Sequence, residues 1–216
     1  METIFKQCMK QVRGTYERFD ASHDFDHILR VMKNAENIAA AMPEADLPII
    51  RLAALLHDID DPKYFKRGNQ SAEDVMRSAG ADDETVSRVL DIIKSVSFNG
   101  GNEEAITSTE GAIVRDADRL DALGAIGIAR TFAFGGARGR KLYDTQEISR
   151  NKMTEAEYRS KETSSVTHFY EKLLLLKELM VTTEGKRLAE QRHTFMVAFL
   201  DQLEDETGSS FQADIN

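Results

Sequence analysis

Disulfides, membrane spans and an excess of positive charge are what this chain of 216 residues lacks. Its one cysteine, Cys8, can close no internal disulfide, so a reducing compartment is expected. No apolar run approaches the roughly 20 residues that cross a bilayer. The opening METIFKQCMKQVRG has no apolar signal-peptide core either, and a cytoplasmic protein with no membrane partner is the expectation. Lysine and arginine number 28 against 37 aspartates and glutamates, a net charge of −9. A general nucleic-acid binder needs a broad basic surface, so no nucleic-acid partner is expected. Tryptophan is absent and proline occurs three times.

What remains is rich in Ala, Leu, Ile, Glu and Lys, which favours helix over sheet. The expected fold is all-α, a single-domain helical bundle of irregular topology over residues 1–216, since this length supports one sizeable core. Helices are expected over residues 2–18, over 25–42 behind a cap at Asp24 or Asp26, and over 49–57 with Pro48 in a first turn. Further helices are expected near 71–79 and 83–97. One long central helix is expected through GAIVRDADRLDALGAIGIARTFAF, capped by Thr107 with Glu110. Two closing helices fall within about 163–203, before a polar tail from Glu204 that should fray.

The stretch LAALLHDIDD, residues 52–61, carries the functional question. Its aliphatic half must be buried, yet it ends in His57, Asp58, Asp60 and Asp61. An isolated internal carboxylate costs several kcal/mol unless it is paired or bound to a cation. In RDADRLDALGAIG, Asp118 and Asp121 share one helical face with apolar neighbours, and His27 continues the apolar stripe Val31, Ala35, Ile38. The inventory is His27, His57, Asp58 and Asp118. Asp116 is an alternative ligand or a solvated position, and an ion pair with Arg119 or Arg130 is the alternative for Asp118. A mixed nitrogen and oxygen set suits an open six-coordinate divalent ion and differs from cysteine-rich structural zinc sites.

DHILRV, ALLHDIDD and RDADRLDALGAIG together resemble the H…HD…D signature of the HD-domain metal-dependent phosphohydrolases. HDFDHILRV, ARTFAFGG, HFYEKLLLLKELM and EQRHTFM extend the similarity over nearly the whole chain, toward a compact bacterial YedJ/YpgQ-like subgroup. The resemblance implies a fold of the HD-domain type with its metal-site core at about 23–121. It implies one divalent ion, Mn²⁺ or Mg²⁺ foremost with Fe²⁺, Ni²⁺ or Zn²⁺ as alternatives, held by His27, His57, Asp58 and Asp118. It also implies a small-molecule phosphate substrate, a nucleoside triphosphate split to monophosphate and pyrophosphate, with nucleotide monophosphatase, phosphodiesterase or a non-catalytic metal-stapled sensor as alternatives. Monomer and homodimer both remain open.

Asp61, one turn past His57, is the candidate proton-transfer group by that resemblance. His23, one turn before His27, is the other. Candidate phosphate contacts are Lys63, Lys66 and Arg67 after the metal motif, Arg138, Arg140 and Lys141 in a Gly-rich loop, and the pair His168 and Lys172.

Overall fold

The structure is a computed structural model and describes residues 1–20, 23–61, 70–96, 104–150 and 163–211. The described residues are all-α, and no strand occurs among them. Two compact units divide the chain, Met1–Phe98 with Glu103–Asp118, and Arg119–Asn216 with Asn99–Asn102.

In the first unit, α1 (Glu2–Tyr16) buries Cys8, Val12 and Tyr16, one residue per turn. Helix α2 (Phe25–Ala39) opens where the Asp24 carboxylate accepts the amide of His27, and it buries Ile28, Val31, Ala35 and Ile38 on one face. Helix α3 (Leu47–Leu56) starts behind the Asp46 cap with proline in its first turn. Ile50, Leu52, Ala53, Ala54, Leu55 and Leu56 are all fully buried, because α1, α2 and α5 pack around this helix. Each large aliphatic side chain so buried contributes about 1.5–3 kcal/mol. The expected burial of this segment is therefore met. Helices α4 (Ala72–Ser78) and α5 (Asp83–Val96) follow, α5 capped by Asp82 through the Thr85 amide.

Helix α6 (Thr109–Asp121) begins in the first unit and ends in the second. Its cap is Ser108, whose Oγ accepts from Gly111 N at 3.0 Å, so the expected Thr107–Glu110 box is not formed. Glu110 instead accepts from Asp46 N. The expected single central helix is also broken. Leu123 is extended, Gly124 has φ +72°, and α7 (Gly124–Ala137) starts anew. A Cβ at Gly127 would lie 2.2 Å from the Ala122 carbonyl oxygen, so this tight break needs a glycine there.

In the second unit, the segment expected as one closing helix is α8 (Ser165–Glu171) followed by a 3₁₀ helix (Leu173–Leu179), the break falling at Lys172 with φ −140°. Helix α9 (Thr183–Thr207) runs past the expected fraying point at Glu204 and stops at Gly208, whose φ of +62° suits a helix C-terminus. No described helix is long and apolar enough to cross a membrane.

Candidate metal centre

Three elements of the first unit bring the sequence candidates together. His27 stands in the first turn of α2, where Asp24 fixes its backbone. His57 and Asp58 follow the last residue of α3, and Asp118 stands in the last turn of α6. His27 Nε2 lies 3.4 Å from Asp58 Oδ2 and 3.5 Å from Asp118 Oδ1. His57 Nε2 lies 3.4 Å and 3.7 Å from the same two oxygens. His27, His57 and Asp118 each offer a ligand atom within 4.8 Å of the others.

Three of these four distances fit adjacent positions on a shared cation. Ligand atoms bound to one ion at about 2.0–2.2 Å, on adjacent coordination positions, sit roughly 3–3.5 Å apart. Both His57 Nε2 and Asp58 Oδ2 are buried and make no hydrogen bond among the described residues. Burial without a hydrogen bond is costly for polar atoms, and a metal ion removes that cost. The other His57 nitrogen, Nδ1, is 3.0 Å from the Ala54 carbonyl oxygen, to which it donates. That bond fixes the tautomer leaving Nε2 with its lone pair toward the cluster.

The electrostatics of the cluster point the same way. Burial pushes the His57 imidazole down, but the Asp58 carboxylate, Asp118 and the Ala54 carbonyl outweigh it and lift the group to about 9. Asp58 is lowered despite its burial by the imidazoles of His57, His27 and His23. Asp118 is likewise lowered against its burial, by contact with His57 and the charge of His27. The pocket favours positive charge, whether carried by a proton or by a metal.

Of the proton-transfer candidates, His23 is at the cluster, its ring centroid 5.7 Å from that of His27 and its Nδ1 3.6 Å from Asp20 Oδ1. Asp61 lies in the turn after the motif, its amide donating to Asp58 O at 3.1 Å. Asp60, which the sequence leaves without a role, receives the Ala72 amide at 3.0 Å and so holds the start of α4. Asp116 is fully buried, so the solvated alternative for it fails. Lys63, Lys66 and Arg67 lie outside the described residues.

The remaining basic candidates belong to the second unit. Arg138 stacks its guanidinium 3.4 Å over the Phe134 ring, with Arg140 5.4 Å from the same ring. Lys141 is exposed and bonded to Asp144 at 2.6 Å. Burial, then the charges of Lys172 and Arg140, push His168 down to about 3. In the same unit Arg130 donates to buried Asp121 at 2.7 Å, and Arg119 to the Leu179 carbonyl at 2.5 Å.

Two buried polar residues that bond to carbonyls beside the cluster were not singled out from the sequence. Tyr16 sends its hydroxyl to the Leu55 carbonyl at 2.8 Å, and Asn34 sends its amide to the Ala117 carbonyl at 3.1 Å. A signal for the first was present, because Cys8, Val12 and Tyr16 recur every four residues and a buried tyrosine hydroxyl requires a partner.

An all-helical scaffold holding two imidazoles and two carboxylates at helix ends defines the class of HD-type metal-binding hydrolase folds. The HD-domain profile matches residues 24–123. The Bacillus subtilis protein YpgQ is 39% identical over 189 residues, which cover 85% of this chain and 84% of YpgQ. The chain belongs to the HD-domain family. Its structure resembles the crystal structure of YpgQ in complex with ADP, with a TM-score of 0.75, 36% identity and 94% of each chain covered. It also resembles an HD-superfamily hydrolase of Bacillus thuringiensis, with a TM-score of 0.73, 38% identity, and 95% of this chain and 97% of the other covered.

Proposed function

We propose that this HD-domain hydrolase is a metal-dependent phosphohydrolase that splits nucleoside triphosphates, deoxy forms included, into monophosphate and pyrophosphate. The observation that carries the reading is the convergence of His27, His57, Asp58 and Asp118 in one cation-favouring cluster. YpgQ was crystallised with ADP, which supports a nucleotide as the substrate class. A divalent ion held by these four residues, Mn²⁺ or Mg²⁺ foremost, would supply positive charge to a phosphoryl oxygen and acidity to a water molecule.

The protein's own groups do the rest. His57, steadied by the Ala54 carbonyl, and His27, set by the Asp24 cap, keep their Nε2 atoms fixed, so no reorganisation is needed when substrate arrives. A water oxygen attacks the α-phosphorus, the α–β bridging bond breaks, and its electron pair leaves with pyrophosphate. The water proton passes to His23, which stands beside His27, or to Asp61 in the following turn. Lys63, Lys66, Arg67, Arg138, Arg140, Lys141, His168 and Lys172 are the candidates for phosphate contact, to be sorted by single alanine variants. A substrate contact raises KM, whereas a surface ion pair such as Lys141–Asp144 leaves it unchanged.

The test is incubation of the purified protein with Mn²⁺ and a panel of nucleoside triphosphates, with products read by ³¹P NMR. Pyrophosphate and monophosphate are expected. Orthophosphate as the sole product transfers the reading to a phosphatase, and no turnover of any phosphate ester refutes it.

A further inference from the structure

The carbonyl groups at the end of α3 show how the metal cluster is held. The last four carbonyls of a helix have no partner within it and must find one elsewhere. Here the Leu56 carbonyl receives the Ile59 amide at 3.1 Å and the Ala54 carbonyl receives His57 Nδ1 at 3.0 Å. The Leu55 carbonyl is taken by a side chain 39 residues earlier, the Tyr16 hydroxyl, at 2.8 Å. One hydroxyl from α1 thus holds the carbonyl two residues ahead of His57. Tyr16 is fully buried, so water cannot substitute for it.

A second bond of the same kind lies on the other side of the cluster. Asn34 stands on α2 seven residues after His27, two turns along one face. Its Nδ2 donates to the Ala117 carbonyl at 3.1 Å, next to Asp118 on α6. The two bonds tie α1 to the end of α3 and α2 to the last turns of α6. Each ends within three residues of a ligand, on a backbone carbonyl.

We infer that Tyr16 and Asn34 are positioning residues for the metal centre, fixing where the ligands on α3 and α6 stand relative to His27. The inference rests on the four-residue cluster being the metal site. Removing hydrogen bonds around metal ligands typically costs about 10–100-fold in metal affinity. Tyr16→Phe keeps the ring and deletes the one oxygen, and Asn34→Ala deletes the amide.

The experiment titrates Mn²⁺ alone into the full chain, with free ion counted by EPR and thermal stability measured in parallel. Wild type, Tyr16→Phe, Asn34→Ala, His57→Ala and the packing control Val12→Ala are compared. Val12 is buried on the same helix as Tyr16 and makes no contribution to the cluster, so its loss lowers Tm with Mn²⁺ Kd unchanged. Tyr16→Phe and Asn34→Ala are each expected to raise Kd about tenfold. Wild-type affinity in folded Tyr16→Phe, or in Asn34→Ala, overturns the inference. A tenfold rise in Val12→Ala also overturns it, because loss of packing alone would then explain the effect. Should Tyr16→Phe not fold, Asn34→Ala decides by the same two outcomes. Absence of Mn²⁺ binding by wild type, or binding unaltered in His57→Ala, refutes the metal-site reading itself, a distinct result.

Discussion

With His57 as a metal ligand, proton and metal would compete for its Nε2, and the size of that competition follows from the geometry. With Nδ1 donating to the Ala54 carbonyl, the only lone pair His57 can offer a cation is on Nε2, 3.4 Å from Asp58 Oδ2. Burial opposes a charged imidazole there, but Asp58, Asp118 and the Ala54 carbonyl raise the group from 6.5 to about 9. At pH 7 the metal-free site therefore holds the proton in about 100-fold excess over the bare lone pair. A metal must displace that proton, so Mn²⁺ affinity should gain about tenfold per pH unit between 7 and 9 and level off above. Metal-free stability moves the opposite way. A folded-state pKa raised above the unfolded value gives stability fully present below pH 6.5 and lost as pH rises through 9. The rise from 6.5 to about 9 makes that loss about 3 kcal/mol. The assay is calorimetric titration of Mn²⁺ at pH 7.5 in two buffers of different ionisation enthalpy, which counts the protons released. About one proton per ion is expected. An affinity that is flat from pH 7 to 8.5, with no proton released, refutes the reasoning.

Three further outcomes are expected. Mn²⁺ at 100 times its Kd should stabilise the wild type by about 2.7 kcal/mol, a Tm rise of about 5–10 °C by scanning calorimetry, and His57→Ala should show no rise. Replacing Arg130 by Met removes the 2.7 Å partner of buried Asp121 and should cost about 3–5 kcal/mol in urea unfolding, whereas a loss below about 1 kcal/mol would show that Asp121 does not depend on that pair. Burial, Lys172 and Arg140 hold His168 at about 3, below its unfolded 6.5, so stability should fall as pH drops below 6.5, by about 2 kcal/mol at pH 5. His168→Gln should flatten that acid limb in a pH series of urea melts, and an unchanged limb assigns it to other groups.

The clustering of His27, His57, Asp58 and Asp118 could be read from the sequence because each member breaks a pattern locally. His27 extends an apolar stripe, His57 and Asp58 end an aliphatic run, and Asp118 stands one turn after buried Val114. Each anomaly is visible within two helical turns. The break between α6 and α7 was not legible, since helical periodicity continues through it and the reason for the turn is the fit of the Ala122 carbonyl against Gly127. The split at Lys172 was hidden in the same way within an uninterrupted apolar run, LLLLKEL. Asp60 looked like a fourth member of the polar mouth, yet its partner is the amide of Ala72 twelve residues on. Tyr16 and Asn34 act on carbonyls 39 and 83 residues away, and backbone acceptors carry no sequence signature.

The positions of the ligands along their helices add a contribution that side chains alone do not explain. His57 and Asp58 follow the C-terminus of α3, and Asp118 lies in the last turn of α6, so two helix ends carrying partial negative charge meet the cluster. His27 enters from the opposite kind of end, the first turn of α2, where the partial charge is positive. There the Asp24 carboxylate receives the His27 amide at 2.9 Å and offsets that end's unfavourable field. The arrangement therefore places the two carboxylates where the backbone already favours a cation and leaves an uncharged ligand at the end that does not. Removing the charge of the cap tests this directly. Asp24→Asn keeps a side-chain oxygen for the His27 amide while removing its charge, so helix α2 should persist by circular dichroism while Mn²⁺ affinity falls about threefold. Equal affinity in the two proteins would assign the cap a purely structural role.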